Sequence, residues 1–203
     1  MFKKLASEAL GLSDIGVIIS PADYDKVDAD DYLFHEDGEK IFFLIKSKKD
    51  EYCFTNLAII HVDGDSAVSS KRTIKRYDYS SHQLSNVSIE TAGTIDLDIE
   101  LKFSVEDGPT FSIDVKKNFL EQLKDIYKAL HTIGKIQARN EIARQNVLPC
   151  LDAIGSMYKL GTLDSEATLV KHYQTLLHAV NTTLLERYVK RDFSDVFEKY
   201  IHS

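Results

Sequence analysis

The chain has 203 residues, 43% of them hydrophobic and 28% charged, with a formal net charge of −7. That composition builds an ordinary buried core and argues against a disordered chain. The charge deficit lies in residues 1–135, which hold 17 Lys plus Arg against 24 Asp plus Glu, while residues 136–203 hold 8 against 8; an acidic first part lacks the cationic footprint that nucleic acid requires and is poorly suited to an anionic membrane.

At the N-terminus, Phe2, Leu5, Ala9, Leu10 and Leu12 set against Lys3, Lys4 and Glu8 predict a short amphipathic helix that packs on protein more readily than on lipid. Glu8 and Asp14 fall where a secretory apolar segment would lie, and no stretch is long enough to span a bilayer, so a soluble, cytoplasmic chain is expected. Asp23, Asp25, Asp28, Asp30 and Asp31 then form an acidic cluster. Counted as a calcium loop from Asp23, it places Asp28 where glycine is required and Phe34 where glutamate is required, so it reads as a mobile acidic loop.

From there to residue 116 the dominant period is two. Residues 41–47, 51–55, 57–62, 68–77, 86–90, 94–105 and 110–115 read as strands, separated by turns at Lys48-Lys49-Asp50, Asp63-Gly64-Asp65 and Glu106-Asp107-Gly108-Pro109. The run from Ala92 to Val105 alternates without error. Ile95, Leu97, Ile99, Leu101, Phe103 and Val105 must share a buried face, and Asp96, Asp98, Glu100 and Lys102 the wet one. Short antiparallel strands in one row leave edges that aggregate, so a sheet curved into a barrel or near-barrel is the economical arrangement.

At Asn118 the period changes to 3.6. Phe119, Leu120, Leu123, Ile126, Tyr127, Leu130 and Ile133 form one stripe of a helix that closes the core, with Asn118 as its N-cap, Glu121 reaching back to it, and Gly134 near its end. Two further stripes follow. Ile136, Ala143, Val147, Leu151, Ile154 and Tyr158 make the first, broken near Pro149; Leu169, Tyr173, Leu176, Leu177, Val180, Leu184 and Tyr188 make the second. A turn at Leu160-Gly161-Thr162 lets them lie as an antiparallel hairpin, and a short last helix covers Ser194 to Ile201. Tyr173, Leu177, Leu185 and Val189 widen the second stripe beyond what one partner helix covers, so the sheet domain of the same chain or the hairpin of another copy must supply the rest, and another copy is the favoured cover. The domain division is therefore 1–135 and 136–203.

Three groups of side chains invite a chemical reading. Asp96, Asp98 and Glu100 make a carboxylate row that is a solvated strand face, a partner-docking surface or a weak divalent-cation site. The histidines lack metalloprotease spacing, with His172 and His178 six residues apart on different helix faces, and Cys53 and Cys150 are isolated and read as reduced core cysteines. The nine glycines are scattered singly, so no phosphate loop is present. No catalytic residue, cofactor site or metal site is assigned.

Phe54-Thr55-Asn56-Leu57 entering an apolar strand, then Tyr77 and Tyr79, then the run from Glu90 through Asp96, Asp98 and Glu100 to Lys102, resemble the bacterial pleckstrin-homology-like domains over roughly residues 10–135. The segment after the helix looks like the C-terminal helical hairpin by which some members oligomerise. The resemblance implies an α+β fold, a barrel of two roughly orthogonal antiparallel sheets capped by a C-terminal helix and followed by an all-α hairpin, with no catalytic or cofactor residues. It also implies a cyclic homo-oligomer. The resulting expectation is a non-enzymatic cytoplasmic scaffold that docks an unidentified protein partner on Asp96, Asp98 and Glu100 and assembles through Tyr173, Leu177, Leu185 and Val189. The alternative is a membrane-surface lipid module using Lys46, Lys48 and Lys49, the hairpin where lipid-binding relatives of this superfold hold headgroups. Asp50 and Glu51 follow those lysines and the loop has no arginine, so phosphate capture is poorly provided for, and the more basic stretch Lys71, Arg72, Lys75 and Arg76 reads as surface charge.

Overall fold

In the computed structural model, which describes residues 13–64, 71–91, 98–159, 166–183 and 189–201, the alternating runs fold into two antiparallel sheets. The first contains β1 (Val17–Ile18), β2 (Ile41–Lys46), β3 (Glu51–Thr55), β4 (Ala58–Gly64) and β5 (Arg72–Asp78) in that order, and the second β6 (Leu84–Thr91), β7 (Asp98–Val105) and β8 (Thr110–Lys116). The expected strands are present with shifted ends; Val68 to Ser70 and Thr94 to Leu97 lie outside the described residues. β1 was not foreseen, because two residues show no period. β6 begins earlier than expected, its register shifting between Ser85 and Ser88, where Asn86 takes a positive φ of 53°.

One flank between the sheets is joined. Gly16 donates its N–H to Asp114 O (2.7 Å) and accepts the Lys116 N–H (3.0 Å), a parallel bridge between the start of β1 and β8. A Cβ at Gly16 would lie 2.7 Å from Ile45 Cγ2, so this approach requires glycine. Among the described residues β5 and β6 share no ladder, so the two sheets form an open rather than a closed barrel.

The core between the sheets follows from the register. Ile99, Leu101, Phe103 and Val105 of β7 are all buried, as their alternation requires, with Phe111, Ile113 and Val115 of β8 and Phe43, Ile45, Phe54 and Ile59 of the first sheet. Phe103 is the aromatic centre, 5.9 Å from Phe54 and 4.9 Å from Phe111 between ring centroids. After a 3-10 turn at Lys117–Phe119, α1 (Leu120–Gln145) buries Leu123, Ile126, Ala129, Leu130 and Ile133. Each large apolar side chain buried this way contributes about 1.5–3 kcal/mol.

Two local expectations about α1 are corrected. Asn118 lies inside the 3-10 turn and not at the cap, and the helix runs past Gly134 to Gln145. Gly134 serves packing instead of termination: a Cβ there would sit 2.5 Å from the Leu84 carbonyl oxygen, so glycine lets α1 approach β6. The chain breaks at Asn146 and restarts as α2 (Val147–Lys159), with Pro149 in its first turn, where a missing N–H is tolerated. α3 (Glu166–Asn181) and α4 (Ser194–Ile201) follow; the expected turn at Leu160-Gly161-Thr162 is outside the described residues.

The acidic stretch is not a mobile loop. It forms three 3-10 segments, Pro21–Lys26, Ala29–Tyr32 and His35–Asp37, that cover the outer face of the first sheet. Ile19, Val27, Ala29 and Leu33 pack there with Leu44, Cys53, Ile60 and Val62 as a second core. Buried carboxylates fix the covering. Glu51 accepts the N–H groups of Asp28 (3.2 Å) and Ala29 (2.8 Å), and Glu39 accepts that of Phe34 (2.8 Å), the Thr55 hydroxyl (2.6 Å) and the Arg76 guanidinium (2.9 Å).

The chain divides into two compact units, residues up to Gly134 together with 191–203, and residues 135–190. The last helix thus belongs with the sheets, although the sequence pattern grouped it with the hairpin. Phe193, Val196 and Phe197 are buried in the first unit; Phe197 stacks on Phe42 at 5.0 Å and Phe193 meets Tyr79 edge-on at 5.5 Å.

Candidate functional site

The outer face of the second sheet gathers carboxylates from three strands. Register sets Glu90 of β6 and Asp114 of β8 on either side of Glu100 of β7, with Asp98 opposite Lys116 and Lys102 opposite Ser112. Lys102 Nζ bonds Glu90 Oε2 and Glu100 Oε2, each at 2.8 Å, and the Ser112 hydroxyl donates to Glu100. Those bonds from Lys102 and Ser112 hold the Glu100 carboxyl below its ordinary range. Asp114 moves the other way, pushed up by burial and then by the charges of Asp98 and Glu100. Asp98 and Glu100 thus lie together on one face, while Asp96 is outside the described residues. Glu90 and Asp114 were missed because only cross-strand pairing reveals them. Four carboxylates around Lys102 and Lys116 form an acidic patch. Among the described residues, no group of three or more His, Cys, Asp or Glu is arranged to hold a metal ion.

The three lysines of the β2–β3 hairpin separate. Lys46 is buried and its ammonium is paired to Glu51, directly across the hairpin. Ser47 closes the turn by donating its N–H to Asp50 O (2.8 Å) and accepting the Lys49 and Asp50 N–H groups on Oγ (3.2 and 3.0 Å). Only Lys48 and Lys49 are left exposed, beside Asp50. The second basic stretch is answered as well: Arg72 faces Asp28 (3.6 Å), Lys75 bonds Asp63 (3.2 Å), and Arg76 binds Glu39 (2.9 Å) and Asp78 (2.7 Å).

Phe54-Thr55-Asn56-Leu57 turns out to be a docking point for the C-terminal helix. Thr55 Oγ1 accepts the N–H groups of Leu57 (3.1 Å) and Ala58 (2.9 Å), shaping the β3–β4 turn. Asn56 is buried; its Oδ1 accepts the Lys40 N–H (2.8 Å), its Nδ2 donates to Asp192 Oδ2 (2.8 Å), and its carbonyl accepts the Phe193 N–H (2.9 Å). Asp192 also accepts the Ser194 N–H on Oδ1 (2.7 Å) at the start of α4. Burial alone would raise the Asp192 carboxyl, but bonds from Ser194 and Asn56 and the nearby Lys40 charge outweigh it and hold it below its ordinary range. Farther along, Lys40 pairs with Glu198 (3.0 Å) and the Thr132 hydroxyl of α1 donates to Tyr200 Oη (3.1 Å). The sequence carried one signal for this seat, Phe193, Val196 and Phe197 as a small apolar face.

In the second unit, α3 exposes Val170, Tyr173 and Leu177, at 48%, 64% and 46% of their full accessibility. Their spacing of three and four places them on one helix face. Val189 is half-buried and Leu185 lies outside the described residues. The two cysteines differ: burial pushes the Cys53 thiol well up, which leaves it inert, whereas Cys150 on α2 is exposed and is not a core residue.

Comparison with known proteins agrees with this architecture. Residues 9–134 match the bacterial PH domain family, and residues 169–203 match the YvbH-like oligomerisation region. The chain is 52% identical to the uncharacterized protein YvbH of Bacillus subtilis (strain 168) over the full length of both. It is 34% identical to the uncharacterized protein YjqA of the same organism over 99 residues, which cover 48% of this chain and 76% of that one. The crystal structure of a PH domain containing protein from Exiguobacterium sibiricum 255-15 matches with a TM-score of 0.79 and 44% identity, covering 92% of this chain and 99% of that one.

Proposed function

This chain belongs to the bacterial PH domain family, and from that premise we propose that it is a non-enzymatic interaction module that assembles with its own copies into a ring and presents an acidic sheet face to a protein partner. The observation that carries the reading is the exposed Val170, Tyr173 and Leu177 face, which falls inside the segment matching an oligomerisation region. A soluble monomer gains nothing from three adjacent apolar side chains in water, whereas a helix–helix contact buries them. A second contact of head-to-tail type closes the assembly into a ring when the rotation between copies divides a circle. The ring repeats the Asp98 and Glu100 face once per copy, so a weak docking contact becomes a firm one through effective concentration.

The double variant Tyr173→Asp/Leu177→Asp tests self-association. It should reduce the particle mass measured by light scattering toward that of one chain and leave the thermal transition of the sheet unit in place. A mass equal to that of the wild type would remove this helix face from the assembly. The docking role is tested separately with Asp98→Asn/Glu100→Gln. Both groups are on the outer face, so folding should be little changed while capture of the partner from native cytosol falls at least several-fold; identical capture by both proteins would leave the face as solvated surface only.

Among the described residues no helix is long and apolar enough to cross a membrane. The lipid-surface alternative is the weaker reading, because the Lys46 charge is answered by Glu51 and the hairpin offers only Lys48 and Lys49. Two exposed lysines give screened, salt-sensitive attraction and no bidentate headgroup capture.

A further inference from the structure

Among the described residues of the sheet unit, the large hydrophobic side chains left exposed are two aromatics, Tyr32 at 45% and Phe34 at 51% of full accessibility. They lie on one side of the chain for a local reason. Leu33 between them has extended backbone (φ −82°, ψ 146°) and buries its own side chain in the core under the 3-10 cover, so both neighbours point outward, roughly 6–7 Å apart along an extended chain. Phe34 already holds a cation. The Arg76 guanidinium lies over its ring, 4.7 Å from the centroid, and is anchored there by Glu39 (2.9 Å) and Asp78 (2.7 Å). An aromatic face attracts cations, and the flat, weakly hydrated guanidinium most readily. Half of Phe34 stays open beyond that contact. The charge of the segment favours the same chemistry: no Lys or Arg occurs from Asp28 to Glu39, Asp31, Glu36 and Asp37 are exposed beside the two aromatics in the chain, and the next cation, Lys40, is turned to Glu198 and the Phe42 ring.

We propose that Tyr32 and Phe34 form a docking site for an arginine-bearing extended segment of a partner protein, in which two arginines with one residue between them stack on the two rings and their charge is answered by Asp31, Glu36 and Asp37. An extended Arg-x-Arg segment presents its guanidinium groups on one side at the spacing of the rings. Lysine serves less well, because a compact and strongly hydrated ammonium gains less from a ring face than a planar guanidinium does. The site is on the cover over the outer face of the first sheet, apart from the Asp98 and Glu100 face of the second. It needs no assembly, so it stands or falls separately from the function proposed above.

Fluorescence anisotropy with the full chain and a labelled peptide of alternating arginine and serine tests the site, with the lysine–serine peptide as the comparison. The expected result is saturable binding of the arginine peptide, at least about two-fold tighter than that of the lysine peptide, which Phe34→Ala weakens about 2–5-fold and Tyr32→Ala/Phe34→Ala about ten-fold, as one and two exposed cation–π contacts imply. Phe34→Leu keeps bulk and loses the ring, so it should weaken binding as much as Phe34→Ala. Both aromatics are about half exposed, and the thermal transition of each variant checks that the fold is kept. Asp98→Asn/Glu100→Gln should bind the peptide as the wild type does. Absence of saturable binding, equal affinity of the wild type and Tyr32→Ala/Phe34→Ala, or a loss confined to the sheet-face variant overturns the site. Equal binding of the two peptides by the wild type, a readout that needs no variant, or full retention by Phe34→Leu overturns the stacking on which arginine recognition rests.

Discussion

Phe197→Ala should lower the free energy of unfolding by about 3–5 kcal/mol, the loss expected when a fully buried phenylalanine leaves a cavity that its neighbours cannot refill. Phe197 is 0% exposed, stacks on Phe42 at 5.0 Å and lies 6.3 Å from Tyr79. Urea denaturation followed by the far-ultraviolet signal of the sheet unit measures the change as a shift of midpoint. Lys40→Ala is the comparison: it removes only the half-exposed pair with Glu198, and such surface pairs contribute about 0–1 kcal/mol. A Phe197→Ala loss under about 1 kcal/mol would mean that α4 rests on the sheet without belonging to its core. A chain ending at Lys190 bares Phe42 and Tyr79, so truncating the tail tests folding as well as assembly.

The reason the tail was grouped with the hairpin is physical. Periodicity reports that α4 has an apolar face but not what the face meets, and a helix of eight residues is too short to be stable by itself. The receiving surface did leave a trace. Ile41–Lys46 reads Ile-Phe-Phe-Leu-Ile-Lys, and a strand with apolar residues at successive positions is buried on both faces, unlike the clean alternation of β7. Phe43 and Ile45 go to the core between the sheets, while Leu44 and Phe42 need a second cover, which the 3-10 segments and α4 supply. The cover over Leu44 was hidden because single-turn segments have no measurable period and their outward aspartates dominate the composition.

The candidate surfaces were legible to the same degree. Alternation alone places Asp98 and Glu100 on the wet face of β7, opposite Ile99 and Leu101, and the burial of those two residues agrees. That Glu90 and Asp114 join the patch, and that Lys102 sits between two of its carboxylates, depends on register across β6, β7 and β8, which pairs residues far apart in the chain. Tyr173 and Leu177 were visible as surplus apolar surface for one helix, and their exposure on α3 fits that reading. Lys46 shows the opposite case: three lysines close together in sequence look equivalent, and only the pairing of Lys46 with Glu51 separates a structural charge from two surface ones.

Glu51→Ala should therefore be among the most damaging substitutions in the first unit, at about 3–5 kcal/mol, because it strands the Lys46 ammonium in a buried site without its counter-charge. It also removes the acceptor for the Asp28 and Ala29 N–H groups, which fasten the 3-10 cover over Leu44 and Cys53. The double variant Lys46→Met/Glu51→Leu separates these contributions. With both charges gone the desolvation penalty disappears, so it should be more stable than Glu51→Ala, yet below wild type by what the two orphaned N–H groups cost, about 1–3 kcal/mol each if they stay dry. Equilibrium denaturation of the wild type, Lys46→Met, Glu51→Leu and the double variant completes the cycle, with Glu51→Ala measured beside it. A double variant no more stable than Glu51→Ala would place the whole loss on the N–H acceptor and none on the ion pair. A Glu51→Ala loss under about 1 kcal/mol would mean that water reaches Lys46, and the lysine would then return to the set available for anionic ligands.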